Sequence, residues 1–202
     1  MNIYLIRHGE IQKDGKSHDK LELSQKGFKQ ADLLGQRLAK YTIEKIYSSD
    51  MVRALQTSNA INKYLNVEIV VRHNLREIDM GECTNGWDNI KERYPDFMEK
   101  FSSHVIDVPY PNGECGKDVW NRSFTVINEI INIDFNNVAI VAHGGTIRAL
   151  ISGLLGLGQE RRFFIGAPFE NCCISIIKYN KNDNRFYIHT INDYSHLEGF
   201  TD

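Results

Sequence analysis

The run Asn2-Ile3-Tyr4-Leu5-Ile6-Arg7-His8-Gly9 sets the interpretation of the whole chain. Residues 2–6 are a short, β-rich apolar run that predicts a buried strand, and the run stops where Arg7 and His8 begin. The same arrangement returns late in the chain, where the apolar residues 138–142 end abruptly at His143-Gly144-Gly145. The sequence therefore contains two predicted strands that each end in a histidine followed by glycine, and the predicted fold and site both start from them.

Strands and helices alternate between residues 2 and 71. A helix from about 25 to 40, with Ser24 as its N-cap, separates the first strand from a second strand at 44–48. Asp50 is predicted to cap the next helix, and a third strand follows at 67–71. The helix faces expected in the core carry Phe28, Ala31, Leu34, Leu38 and Tyr41, then Val52, Leu55, Ala60, Ile61 and Tyr64. This order favours parallel pairing with helices on the sheet faces.

The second half of the chain is less regular at first. Residues 83–117 contain a predicted helix bearing Trp87, Tyr94, Phe97 and Phe101, and then the breakers Pro109, Pro111 and Gly113. A helix to about 132, the strand at 138–142, a helix through Leu155 and two antiparallel strands at 172–179 and 186–191 complete the prediction.

The predicted fold is α/β, a three-layer sandwich with a mostly parallel central sheet flanked by helices and a small helical insertion over the active site. We expect a single domain over residues 1–202 with a cap-like insertion at about 83–117.

Composition limits the classes of function. The chain has 202 residues, 42% of them hydrophobic, and a formal charge of −2, so no overall field gathers nucleic acid or an anionic membrane. No signal peptide and no run of roughly 18 apolar residues is evident, which predicts a cytoplasmic protein. The four cysteines lack metal or disulfide spacing, and the adjacent Cys172 and Cys173 are expected to face opposite sides of a strand.

Ligands bind at the carboxyl ends of the strands in parallel sheets, where His8 and His143 are predicted to meet. Arg7 and Arg53 can bind phosphate oxygens in fork geometry, and two such arginines suit a doubly charged phosphoryl group. For Arg53 a solvated helix position or a pairing with Asp50 is equally consistent with the spacing.

Glu77 follows the third strand and can give or take a proton if its surroundings tune it. An ion pair with a nearby arginine is the alternative. Asp79 and Glu82 share the same loop, so composition alone does not single out Glu77.

Several motifs together resemble the histidine phosphatase superfamily, the phosphoglycerate-mutase-like proteins. The match spans most of the chain in the family's order: Leu5-Ile6-Arg7-His8-Gly9-Glu10, Leu23-Ser24 with Gly27 and Gln30-Ala31, Tyr47-Ser48-Ser49-Asp50 with Arg53-Ala54 and Gln56-Thr57, Leu75-Arg76-Glu77, and Ala142-His143-Gly144-Gly145 with Ile147-Arg148.

The resemblance implies a role for each catalytic candidate. His8 is expected to take up the phosphoryl group on its imidazole, while Arg7, Arg53 and His143 surround that group and Glu77 donates a proton to the leaving oxygen. The two arginines would supply the charge that a metal supplies elsewhere, so the resemblance implies neither a metal nor a cofactor.

Two further residues are assigned to substrate binding with Arg7 and Arg53. The Gly144 N–H, at the start of a helix, can contact phosphate, although a turn glycine is the plain alternative. The second of these residues is Glu10, which stands in the first motif.

The loop after Glu10 departs from the family pattern. Many members carry a threonine and then an asparagine where this chain has Ile11 and Asp14, and an acidic side chain beside phosphate is unfavourable. The loop is therefore either displaced, or one of its neighbours contacts phosphate instead, the candidates being Gln12, Lys13, Lys16 and His18.

The short insertion favours hydrolysis over phosphoryl transfer between substrates. Mutases of the family resemble one another in a longer, more basic insertion, whereas about 35 residues separate Cys83 from Lys117 here. The expected partner is a small phosphorylated metabolite, such as a ribazole phosphate, a sugar phosphate or a phosphorylated amino acid. A phosphoglycerate-type mutase, a non-catalytic module that binds a phospho-ligand, and assembly as a homodimer stay open.

Overall fold

The computed structural model describes residues 1–12, 17–166 and 168–200, and its centre is a six-stranded sheet. The strand order is β3-β2-β4-β1-β5-β6. The first four of these strands are parallel, and β5 and β6 are antiparallel, which confirms the predicted mostly parallel sheet with a closing antiparallel pair. The strands are β1 Asn2–Arg7, β2 Lys45–Ser48, β3 Glu68–Val71, β4 Asn137–Ala142, β5 Ile174–Asn180 and β6 Arg185–Asp193.

Helices cover both faces of the sheet, as predicted. They are α1 Gln25–Leu38, α2 Val52–Leu65, α3 Ile90–Arg93, α4 Pro95–Ser103, α5 Gly116–Ile131 and α6 Gly144–Leu154. Alternate side chains of β1 point to opposite faces, so Ile3 and Leu5 join a cluster with α5 and α6 while Tyr4 and Ile6 join one with α1 and α2. Each fully buried aliphatic side chain contributes about 2 kcal/mol of transfer free energy, so both layers are firmly held.

Helix caps were predicted with mixed success. The Ser24 hydroxyl accepts a hydrogen bond from the Gly27 N–H, which confirms it as the N-cap of α1. The prediction for Asp50 was wrong: Met51 occupies the N-cap position of α2 without a side-chain bond, and the Asp50 carboxylate binds Arg76 and His73 instead. The Asp50 carboxylate could either cap the helix or form an ion pair, and in the structure it forms the ion pair.

The predicted helix faces were partly wrong. Phe28, Tyr64 and Leu155 are exposed: Phe28 lies in the first turn of α1, Tyr64 in the last turn of α2, and Leu155 follows the last residue of α6. The Tyr64 hydroxyl donates to Asp32 on α1, so this ring bridges two helices at the surface rather than entering the core.

The region of the predicted insertion contains α3 and α4 rather than one helix. Pro95 interrupts the run, and Trp87 precedes both helices. The rings of Trp87 and Phe101 lie 5.5 Å apart and both contact Tyr110, which supports packing as the role of these aromatic residues. The single-domain description with a cap stays a prediction.

Cys172 and Cys173 lie just before β5, not inside it as predicted. Cys172 has a φ of 56°, in the left-handed region, so the chain turns there before the strand begins. The two side chains nevertheless enter opposite core clusters, as expected, and all four cysteines are free. In the described part of the chain, no helix has the length and apolar character needed to cross a membrane.

Candidate active site

The two histidines that follow β1 and β4 meet at one edge of the sheet. The strands are parallel neighbours with Arg7 paired to Ala142, so the next residues, His8 and His143, emerge side by side. Their ring centroids are 5.1 Å apart, and both residues are buried, at 5% and 0% exposure. The predicted meeting of the two rings is therefore observed; we call them the histidine pair.

Hydrogen bonds define the tautomer of His8. Its Nδ1 lies 2.8 Å from the Gly9 carbonyl oxygen, which only accepts, so Nδ1 must carry the hydrogen. The Nε2 lone pair is then free to accept the Nε–H of Arg53 at 3.1 Å. Burial, together with the charges of Arg53 and Arg7, lowers the pKa of His8 well below its ordinary range. The imidazole is thus neutral, with its lone pair on Nε2.

His143 is held by a residue that sequence reasoning did not select. Its Nε2 lies 2.9 Å from the Ser49 hydroxyl, and its buried Nδ1 has no partner among the described residues. Burial and the neighbouring His8 and Arg53 lower its pKa well below the ordinary range. Ser49 lies directly after β2, in the motif Tyr47-Ser48-Ser49-Asp50. Its position at a strand end is the feature of the sequence that could have identified it as a site residue.

Arg7 lies beside the start of α6. Its Nη1 donates to the Phe169 carbonyl, while its Nε is buried and unpartnered within the described chain. A Cβ added to Gly144 would lie 3.8 Å from that Nε, so the glycine and the guanidinium are neighbours. A buried N–H without an acceptor costs free energy, and a ligand oxygen that accepted from this Nε–H would remove that cost.

Arg53 is buried, at 1% exposure, and is held from two sides. Its Nε meets His8, and its Nη1 donates to the His18 carbonyl at 2.7 Å. The alternative pairing with Asp50 is not adopted, since that carboxylate binds Arg76 and His73. Of the candidate contacts of the polar loop, the His18 carbonyl reaches Arg53, and the Gln12 N–H donates to the Glu22 carbonyl. The other two candidates, Lys13 and Lys16, lie outside the described residues, as does Asp14.

Backbone N–H groups hold the Glu77 carboxylate. Oε1 accepts from Ile78 and Thr146 at 2.9 and 3.2 Å, and Oε2 accepts from Gly145 at 3.2 Å. The contacts described for this side chain thus come from the adjacent Ile78 N–H and from the first turn of α6, and not from the ion pair considered as an alternative. The carboxyl group is oriented at the same strand edge as the histidine pair.

The remaining two predicted substrate-binding residues differ in their surroundings. Gly144 begins α6 next to Arg7, where its N–H can face an anion. The Glu10 carboxylate instead accepts the Ser24 hydroxyl at 2.8 Å, and the Glu10 N–H donates to Gln30. The structure thus gives Glu10 a partner at the start of α1, and its substrate contact stays a prediction.

A second residue missed from the sequence supports the nucleophile's backbone. The Asn171 amide donates to the His8 carbonyl at 3.0 Å, and the next N–H, of Cys172, donates to the Arg7 carbonyl at 3.1 Å. This segment lies more than 160 residues from His8 in sequence. No local pattern could have joined the two.

A cavity of about 410 Å³ opens beside the site, and we call it the Glu77 cavity. Its lining consists of His18, Asp19, Met51, His73, Arg76, Glu77, Ile78, Asp79, Thr84, Glu114 and Arg122. His18 links the cavity to the histidine pair, because Arg53 contacts both the His18 carbonyl and His8. Glu77 accepts the N–H of Gly145, two residues after His143. Within the described residues, no group of three or more His, Cys, Asp or Glu side chains is arranged to hold a metal ion.

Curated relatives of this chain include both phosphatases and mutases. A putative phosphoserine phosphatase 2 of Hydrogenobacter thermophilus is 32% identical over 164 residues, covering 78% of this chain and 80% of the relative. A probable phosphoglycerate mutase of Cronobacter sakazakii is 27% identical over 209 residues, covering 98% of this chain and 95% of the relative.

A solved structure has the same fold. The mycobacterial glucosyl-3-phosphoglycerate phosphatase is 25% identical, with a TM-score of 0.80, covering 95% of this chain and 98% of that one. The model of the histidine phosphatase superfamily (branch 1) matches residues 3–193. The chain therefore belongs to the histidine phosphatase superfamily and is an enzyme of the phosphoric monoester hydrolase type.

Proposed function

We propose that this protein is a metal-independent phosphatase that hydrolyses the phosphate monoester of a small metabolite through a phosphohistidine on His8. The observation that carries the proposal is the tautomer of His8, whose Nδ1–H is held by the Gly9 carbonyl so that Nε2 presents a lone pair. The low pKa of the buried ring keeps this lone pair available.

In the first step, the Nε2 lone pair of His8 attacks phosphorus and the bond from phosphorus to the ester oxygen breaks. The leaving oxygen receives a proton from the Glu77 carboxyl group. Arg53, Arg7 and the His143 Nδ1 offset the charge on the equatorial oxygens, and two of these groups have buried nitrogens without a partner among the described residues, which suits them to that task.

In the second step, Glu77 takes a proton from water as the water oxygen attacks phosphorus. The bond between phosphorus and His8 Nε2 breaks, its electrons return to the ring, and inorganic phosphate leaves. Before catalysis begins, the incoming phosphate must replace His8 as the acceptor of the Arg53 Nε–H, since that bond occupies the nucleophile's lone pair.

Phosphoryl transfer of the mutase type is the second candidate, favoured by the probable phosphoglycerate mutase among the relatives. The two activities differ in the fate of the phosphohistidine, which a mutase returns to a second substrate oxygen. Exchange of phosphate between the positions of phosphoglycerate faster than release of inorganic phosphate would favour the mutase. Cytoplasmic location and homodimer formation stay predictions.

The test compares hydrolysis of p-nitrophenyl phosphate, in the presence of a chelator, by the parent and by His8→Ala. We expect chelator-resistant hydrolysis that falls by about a thousandfold or more in the variant, as expected for removal of a nucleophile. His189→Ala is the matched control, because His189 is exposed on β6. Hydrolysis that survives in His8→Ala, or that disappears with chelator, would contradict the proposal, and a complete lack of turnover would favour the binding module.

A further inference from the structure

The Glu77 cavity has an excess of negative charge on its described lining. Four carboxyl side chains and two guanidinium groups face it. The carboxyl groups are those of Asp19, Glu77, Asp79 and Glu114. A molecule entering this cavity therefore meets a field opposite in sign to that around Arg7 and Arg53.

The two arginines of the cavity are each paired with carboxylates. All five N–H groups of Arg122 donate, two of them to Glu114 and the others to the carbonyls of Asn74, Arg76 and Glu77. Arg122 has no donor left for a substrate carboxylate.

Arg76 is engaged in part, and its Nη2 has no hydrogen bond among the described residues. Its Nε and Nη1 bind Asp50 and Asp19, at 2.7 and 3.2 Å. Two carboxylates thus offset its single charge, and Asp50 adds a further negative charge just beyond the lining.

Asp79 is the carboxylate best placed to act on a substrate. It is exposed in the cavity, two residues after Glu77 in the same loop. Its Oδ1 accepts the Gly81 N–H at 2.8 Å, while Oδ2 has no partner within 1–12, 17–166 and 168–200. Because Glu77 is the proposed donor to the leaving oxygen, the atoms beyond that oxygen enter the space that Asp79 faces.

We infer that the enzyme selects phosphate esters whose leaving group carries a cation, such as a protonated amine, over esters whose leaving group carries a carboxylate, and that Asp79 is a specificity-determining residue. This inference rests on the proposed function. The site is charge-separated, with guanidinium groups around the phosphoryl group and carboxylates around the leaving group. A substrate with a phosphate at one end and an ammonium group at the other matches both halves.

The experiment measures kcat/KM, with inorganic phosphate release as the signal, for three small esters. These are phosphoethanolamine, glycerol 3-phosphate and 3-phosphoglycerate, whose leaving groups are cationic, neutral and anionic. We expect the parent to prefer phosphoethanolamine over 3-phosphoglycerate by at least about tenfold, with glycerol 3-phosphate between them.

Asp79→Asn should reduce that preference by about fivefold, the effect of one partly exposed charge. The amide oxygen still accepts the Gly81 N–H, so the turn is retained. Asp134→Asn changes the net charge equally at the opposite end of β4 and should leave the preference unchanged. Because the preference is a ratio measured on one preparation, partial unfolding of a variant does not affect it.

Equal or reversed preference in the parent, or a ratio unchanged by Asp79→Asn, would overturn the inference while leaving the phosphatase proposal intact. A failure of the proposed function gives a different result, namely no hydrolysis of any ester, p-nitrophenyl phosphate included. That result would overturn both.

Discussion

Arg53→Lys tests how the nucleophile and the phosphoryl group share one guanidinium. Lysine keeps the positive charge but has a single terminal nitrogen, so it cannot reach both His8 Nε2 at 3.1 Å and the His18 carbonyl at 2.7 Å in the same geometry. The side chain is buried at 1% exposure, so water cannot replace the lost contacts.

The expected loss in kcat is about a hundredfold. Removal of one preorganised donor from a developing oxyanion costs about 2.7–4 kcal/mol, and the retained charge places this variant at the lower end of that range. The assay is steady-state hydrolysis of p-nitrophenyl phosphate, with a thermal melt of each variant to establish that it is folded. Arg185→Lys, at the start of β6 and exposed, is the matched control. A folded Arg53→Lys with kcat within threefold of the parent would refute the role given to Arg53.

Three further predictions concern the support of the site. Asn171→Ala removes the bond to the His8 carbonyl and should lower kcat by about fivefold with little change in KM, measured with the same ester. Gly145→Ala places a Cβ 2.5 Å from Glu77 Oε1 and should cost about tenfold in kcat, whereas Gly144→Ala has room and should give the smaller loss. The folded pKa of His8 is lowered, so the unfolded chain binds a proton first as the pH falls through about 6.5. The free energy of unfolding should therefore decrease below that pH, and less steeply in His8→Ala, as denaturant titrations at several pH values would show.

Periodicity and strand-end chemistry were sufficient to predict the sheet and the histidine pair. The apolar runs before His8 and His143 are unbroken, and parallel neighbours bring their carboxyl ends together, so the meeting of the two rings follows from topology. Helix ends were predicted less well, because Phe28 and Tyr64 have the right spacing but lie in the first turn of α1 and the last turn of α2, where their side chains are exposed.

The supporting contacts could not be predicted from the sequence. Asn171 and Ser49 bind the histidine pair across 163 and 94 residues of sequence. The strand-end position of Ser49 marks it as a candidate, but nothing local in either segment indicates which residue it binds. Asp50 was misassigned because its cap position and its ion pair with Arg76 compete, and only the folded chain brings that arginine within 2.7 Å. Long-range hydrogen bonds depend on the final packing, which one-dimensional patterns do not specify.

The central claim is that phosphorus becomes bonded to His8, and rapid quenching in alkali during turnover of a phosphate ester tests it most directly. Mass spectrometry of the digested protein should find an acid-labile phosphoryl group on the peptide that contains His8, absent from His8→Ala and discharged when substrate is exhausted. A phosphoryl group on any other residue, or turnover with an unmodified His8 peptide throughout, would contradict the account.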